Sequence, residues 1–94
     1  MLVMTPRAQL ELMDKILREL EDLANSQTSV LKKISQIEAE NITLSNKVLE
    51  EGLPDLHEHV DEALEECNTL LSEFTESREQ FFKDNKLDQP EPEA

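Results

Sequence analysis

His57, Glu58, His59, Asp61, Glu62 and Cys67 lie close together and include every side-chain type that commonly ligates zinc. His57 and Asp61 are four residues apart, so on a helix they would share one turn and one face. His59 points elsewhere on such a helix, and the two-histidine spacing of the zinc proteases is missing. Solvated polar residues near the start of a helix account for the cluster without a metal. The sequence gives no reason to assign a metal-binding, cofactor-binding or catalytic residue.

Other reactive side chains point the same way. Cys67 sits on an apolar stripe between Ala63 and Leu70, where a thiol packs as a small hydrophobe. Its acidic neighbours Glu65 and Glu66 would disfavour the thiolate and hence nucleophilic chemistry. Carboxylates are abundant, yet no glycine-rich phosphate loop or nucleophile elbow accompanies them. The expectation is a protein that is not an enzyme. All three aromatic side chains are phenylalanines near the end of the chain. Phe74 and Phe81 share one phase and are expected in the core, while Phe82 falls off it and is expected to touch a partner.

Composition restricts the elements that could position these residues. The 94 residues include one Gly, no Trp and no Tyr, too little turn chemistry for a compact sheet protein. One domain is the upper bound for this length. The formal charge of −13 is concentrated after Gly52, and no base occurs between Pro54 and Ser77. That half should repel nucleic-acid phosphates and anionic lipid, so neither direct nucleic-acid nor membrane binding is expected. Glu58, Glu62, Glu65 and Glu66 form a candidate acidic face suited to a basic protein partner. A single cysteine, no leader-like start and no long apolar run lead to an expectation of an intracellular, cytoplasmic or nuclear protein that is neither secreted nor transmembrane. The Asn41-Ile42-Thr43 triplet has the form of a glycosylation acceptor but lies within the helical pattern.

A seven-residue apolar beat organises the chain. One stripe holds Met13, Leu20, Gln27, Ile34, Asn41 and Val48, and another holds Ile16, Leu23, Val30, Ile37 and Leu44. Thr5-Pro6 is a helix start, and no Gly or Pro follows until Gly52. This predicts a flexible N-terminus at 1–5 and a helix over 6–51, continuous through the polar stretch Asn25–Ser29, although a kink there is an alternative. Gly52-Leu53-Pro54 predicts the turn at 52–54, and the beat then resumes in a helix over 54–85. A disordered acidic tail is expected at 87–94. The fold class is all-α: an antiparallel helical hairpin over 6–86 with one long and one shorter helix, assembling into a coiled coil or four-helix bundle.

Unequal arms would leave Leu10, Met13, Ile16, Leu17 and Leu20 uncovered. Leu31, Ile42 and Leu49 would widen the stripes beyond a two-helix seam, so these residues and Phe82 are the candidate partner or oligomer interface. Gln27 and Asn41, polar within the seam, are the candidate register-setting residues. The expected partners are protein helices: self, as a homodimer or higher oligomer, sister subunits, or a basic protein.

A long helix, an -EGLPDL- turn, a shorter acidic helix and a polar tail, spanning residues 5–86, together resemble small subunits of eukaryotic coiled-coil assemblies. Synaptonemal-complex central-element proteins, kinetochore-ring subunits and lysosome-related-organelle biogenesis subunits share this layout. The resemblance implies a structural or scaffold subunit that oligomerises through its helices. The competing reading is a small acidic adaptor or chaperone that masks a basic or amphipathic helix of a client.

Overall fold

A computed structural model describes residues 4–89. Two helices, α1 (Pro6–Leu44) and α2 (Lys47–Asp84), pack antiparallel along their lengths. The hairpin is a rod of 71 × 22 × 21 Å. Its radius of gyration is 20.6 Å, well above the roughly 12 Å of a compact domain of this length. Among the described residues no helix is long and apolar enough to cross a membrane.

The start of α1 follows the local chemistry. Thr5 is the N-cap, its hydroxyl oxygen accepting from the Ala8 amide at 3.1 Å, and Pro6 occupies the first helical position. The helix runs unbroken through Asn25–Ser29. There the Thr28 hydroxyl turns back to donate to the Ala24 carbonyl at 3.0 Å.

The turn corrects the sequence expectation. It lies at Ser45–Asn46, and both Gly52 and Pro54 are inside α2. Ser45 takes the left-handed conformation (φ 58°) and its amide donates to the Asn41 carbonyl at 2.7 Å. The Asn46 amide donates to Asn41 Oδ1 at 2.9 Å, and Asn41 Nδ2 donates to the Asn46 carbonyl at 3.2 Å. Asn46 in turn caps α2, its side-chain oxygen accepting from the amides of Val48 and Leu49. Asn41 is therefore buried and satisfied within its own chain. It fastens the turn instead of pairing with a counterpart across an interface, and its amide is not free to accept a glycan.

Arm lengths follow from that turn. α1 has 39 residues and α2 has 38, so the overhang expected on a long first arm does not exist. An interior Pro costs about 3 kcal/mol and an interior Gly about 1 kcal/mol. Five uncovered apolar side chains, at roughly 1.5–3 kcal/mol each, would cost more. Keeping Gly52 and Pro54 helical is the cheaper solution. Nothing lies within 4 Å of a Cβ built on Gly52, so the helix there is uncrowded.

The far end is tied as well. Residues 85–89 form turns, with the Leu87 amide donating to the Phe82 carbonyl and Arg7 donating to the Gln89 carbonyl at 3.1 Å. The tail expected from 87 is thus ordered as far as 89. Residues 90–94, and residues 1–3 of the expected flexible N-terminus, lie outside the described residues.

Candidate functional site

Packing in this hairpin is thin. Only Ala24, Ile34, Asn41 and Leu53 are buried among the described residues, and no large side chain is completely enclosed. Most buried and half-buried positions of α1 fall on two rows, Leu10, Leu17, Ala24, Leu31 and Glu38 together with Met13, Leu20, Gln27, Ile34 and Asn41. In α2 the equivalent rows are His57, Leu64, Leu71 and Arg78 together with Leu53, Val60, Cys67, Phe74 and Phe81. These rows form the seam between the helices.

The seam is rotated by one row from the one read in the sequence. The heptad pattern puts the stripe Ile16, Leu23, Val30, Ile37 and Leu44 in it, with Ala63 and Leu70 on the facing stripe. Instead Leu23 is 46% exposed, Val30 44%, Ile37 37%, Leu44 67%, Leu56 48% and Leu70 52%. Polar pairing explains the rotation. Arg78 Nε donates to Asp14 Oδ1 at 2.8 Å, and His57 Nδ1 donates to Glu38 Oε1 at 2.7 Å. Both contacts form only when the side of α1 carrying Glu38 and Asp14 turns toward the row carrying His57 and Arg78.

The same two contacts define the sides of the hairpin. The Glu38–His57 contact near the turn and the Asp14–Arg78 contact near the open end lie on the same side of the seam. Each exposed apolar row sits one residue before its helix's polar-side row: Ile37 before Glu38, Leu56 before His57, Ser77 before Arg78. Both exposed rows therefore lie on the opposite side of the seam. The register fixed by these two polar contacts sets Ile37 across from Leu56, Val30 across from Ala63 and Leu23 across from Leu70. One long side of the rod is thus a shallow apolar groove flanked by two leucine-rich ridges. Leu12, 43% exposed, stands on the outer border of the α1 ridge, seven residues before Glu19.

The candidate interface residues are distributed differently from the expectation. Leu10, Met13, Leu17, Leu20 and Leu31 are half-buried in the seam, and of that set only Ile16 lies on an exposed row. Ile42 is 81% exposed and Leu49 half-buried beside it, in a depression shared with Glu38, Asn41, Glu50, Leu53 and Pro54. Phe82 is half-buried on the polar side, with the Arg78 guanidinium 5.0 Å from its ring centroid. Arg78 also donates to Glu79 at 2.8 Å. The hydrogen bond to Asp14 is the main reason its pKa lies above the ordinary arginine value, with desolvation opposing and Glu79 adding to the rise. Arg78 therefore stays charged wherever the hairpin is folded.

Gln27 is half-buried at mid-length, and no hydrogen bond to another described residue engages its amide. Cys67 is half-buried in the seam. His57 is committed to Glu38, and no group of three or more His, Cys, Asp or Glu among the described residues could hold a metal ion. Glu58, Glu62, Glu65 and Glu66 are all exposed, but only Glu66 borders the apolar ridge. The ridges themselves were visible in the sequence as part of the heptad pattern. Their exposure was not, because it depends on which neighbouring row the polar pairs draw inward.

No family model matches the chain, and no curated protein or solved structure is significantly similar to it.

Proposed function

We propose that this chain is a non-enzymatic structural subunit that joins a larger protein assembly by packing the apolar side of its hairpin against helices of other chains. The observation that carries this reading is the row of half-exposed residues Leu23, Val30, Ile37, Leu44, Leu56 and Leu70 along one side. The seam beneath them is itself incompletely covered, so an added helix would finish rows in both arms. This keeps only the architecture of the coiled-coil subunits the sequence resembles, and it fits an intracellular setting.

Magnitudes support a helix-sized contact. From Ile16 to Leu44 the groove is about 42 Å long at 1.5 Å per residue. Across two helices about 10 Å apart it is about 20 Å wide, giving an area of about 800 Å², the contribution of one partner to an ordinary specific interface. Covering six half-exposed side chains yields about 1 kcal/mol each. That is comparable with the lower end of the roughly 4–15 kcal/mol lost on association. The apolar ridge can drive assembly, with help from whatever flanks it.

The test is Leu23→Gln with Leu70→Gln, which leaves helix propensity nearly unchanged. Expected is loss of the proteins that copurify with the wild-type chain, and a lower assembly mass by light scattering, with helicity by circular dichroism retained. Ser35→Gln, on the polar side, should preserve the assembly. A double variant that keeps the wild-type mass and partners would refute the proposal.

A further inference from the structure

We infer that the occupant of the apolar groove is a basic amphipathic helix from another protein, and not a second copy of this chain. This rests on the assembly reading above and adds the chemistry of the partner. The residues bordering the ridges on their outer edges decide it. Along α1 these are Glu19, Ser26, Lys33 and Glu40, and along α2 they are His59, Glu66, Glu73 and Gln80, all exposed. Four carboxylates thus stand against one amine, Lys33. Glu19 also has Lys15 at 3.9 Å, a solvent-exposed contact that leaves the carboxylate accessible.

A second copy would bring the same borders face to face. With four carboxylates and one amine on each face, ion pairs could satisfy only a minority of them, between chains each of formal charge −13. A helix with an apolar stripe flanked by Lys or Arg meets the opposite sign on both edges. Groove geometry also suits one helix. The ridges lie on either side of a trough floored by Val60, Cys67, Phe74, Met13, Leu20 and Gln27, all half-buried. A third helix seated there would touch the floor and both ridges, as in a three-helix bundle.

The structure separates two groups of acids. Glu66 and Glu73 border the groove, whereas Glu58 and Glu65 lie on the outer face of α2, away from it. Only the first group should matter for the partner.

The probes are two synthetic helical peptides long enough to span the groove, with identical leucine stripes, one flanked by Lys and the other by Glu. Binding to the full chain is measured by fluorescence anisotropy at low and high salt, and the oligomeric state of the chain by sedimentation equilibrium. Expected is a monomer that binds the Lys-flanked peptide, more weakly as salt rises, and binds the Glu-flanked peptide at least about tenfold less tightly. Glu66→Lys with Glu73→Lys should weaken the Lys-flanked peptide about tenfold, while the charge-matched Glu58→Lys with Glu65→Lys should change it less than about threefold. Equal effects of the two charge swaps would reduce the result to general attraction and overturn the inference. So would a stable homodimer that Leu23→Gln with Leu70→Gln dissociates. If that apolar variant releases both peptides equally from a wild-type chain that bound them equally, only the charge inference fails. If neither peptide binds and the apolar variant changes no assembly, the proposed function fails as well. Circular dichroism on every variant separates lost binding from lost folding.

Discussion

The two long sides of the hairpin solve the same problem in opposite ways. On the polar side Asp14, Glu38, His57 and Arg78 find partners across the seam, Arg78 lies over Phe82, and Arg7 reaches Gln89. On the other side Leu23, Val30, Ile37, Leu56 and Leu70 stand about half in water, incompletely covered by one another. One side is finished by the chain itself, and the other is the side that the proposed partner would finish. Directional contacts thus orient a hairpin whose apolar residues, in phase over three adjacent rows, would permit more than one rotation.

Register is where this contrast is most easily broken. Moving the turn from Ser45–Asn46 to Gly52–Pro54 would slide the helices by whole heptads, leaving every apolar row in phase. It would also separate Asp14 from Arg78 and Glu38 from His57. A slipped hairpin would keep its apolar side and lose its polar one. Pro54 favours that alternative, because within α2 it has no amide to give the Glu50 carbonyl. Pro54→Ala should therefore stabilise the observed hairpin by up to about 3 kcal/mol in urea denaturation, the largest change expected here. A destabilised variant would mean the proline is not strained in α2.

Asn41→Ala tests the opposing determinant. It removes both side-chain hydrogen bonds to Asn46 at a buried position, which should cost about 1–3 kcal/mol. Unchanged stability would mean the turn is held by the helix caps alone. Next in size is Arg78→Met, which keeps an aliphatic stem over Phe82 but loses the bonds to Asp14. It should cost about 1–2 kcal/mol and blunt the salt sensitivity of unfolding. A variant as stable and as salt-sensitive as the wild type would remove the polar side's role in fixing the rotation.

Much of the architecture can be read directly in the residues, and the places where it cannot are physically specific. Heptad spacing is enough to give two antiparallel helices, and Thr5-Pro6 marks where the first begins. Heptad spacing is blind, however, to slips by whole heptads, so the turn rests on local chemistry alone. Gly-Leu-Pro is the louder local signal, while Ser45-Asn46 works through a side chain five residues upstream. Rotation of the seam is hidden for a related reason. Rows of leucine and isoleucine are nearly interchangeable, and only Glu38, His57 and Arg78, at heptad-related positions, reveal which row turns inward. Phe82 shows the same limit, since its ring is taken by a cation whose reach no spacing rule anticipates.

The smallest expected effect is the most discriminating. Leu70 is 52% exposed and lies between Glu66 and Glu73 on the apolar ridge of α2. Gln has nearly the helix propensity of Leu, and its methylenes can cover much of the same helical surface. Leu70→Gln should therefore shift the stability of the isolated chain by under about 1 kcal/mol in the same urea titration. A seam leucine of similar size behaves differently, since Leu71→Gln would place an amide against the facing helix and should cost about 1–3 kcal/mol. If neighbouring leucines separate in this way, the ridge is spare surface in the lone hairpin and its apolar character serves association. If Leu70→Gln instead costs as much as Leu71→Gln, the ridge already stabilises the isolated fold, and the distinction between a finished and an unfinished side disappears.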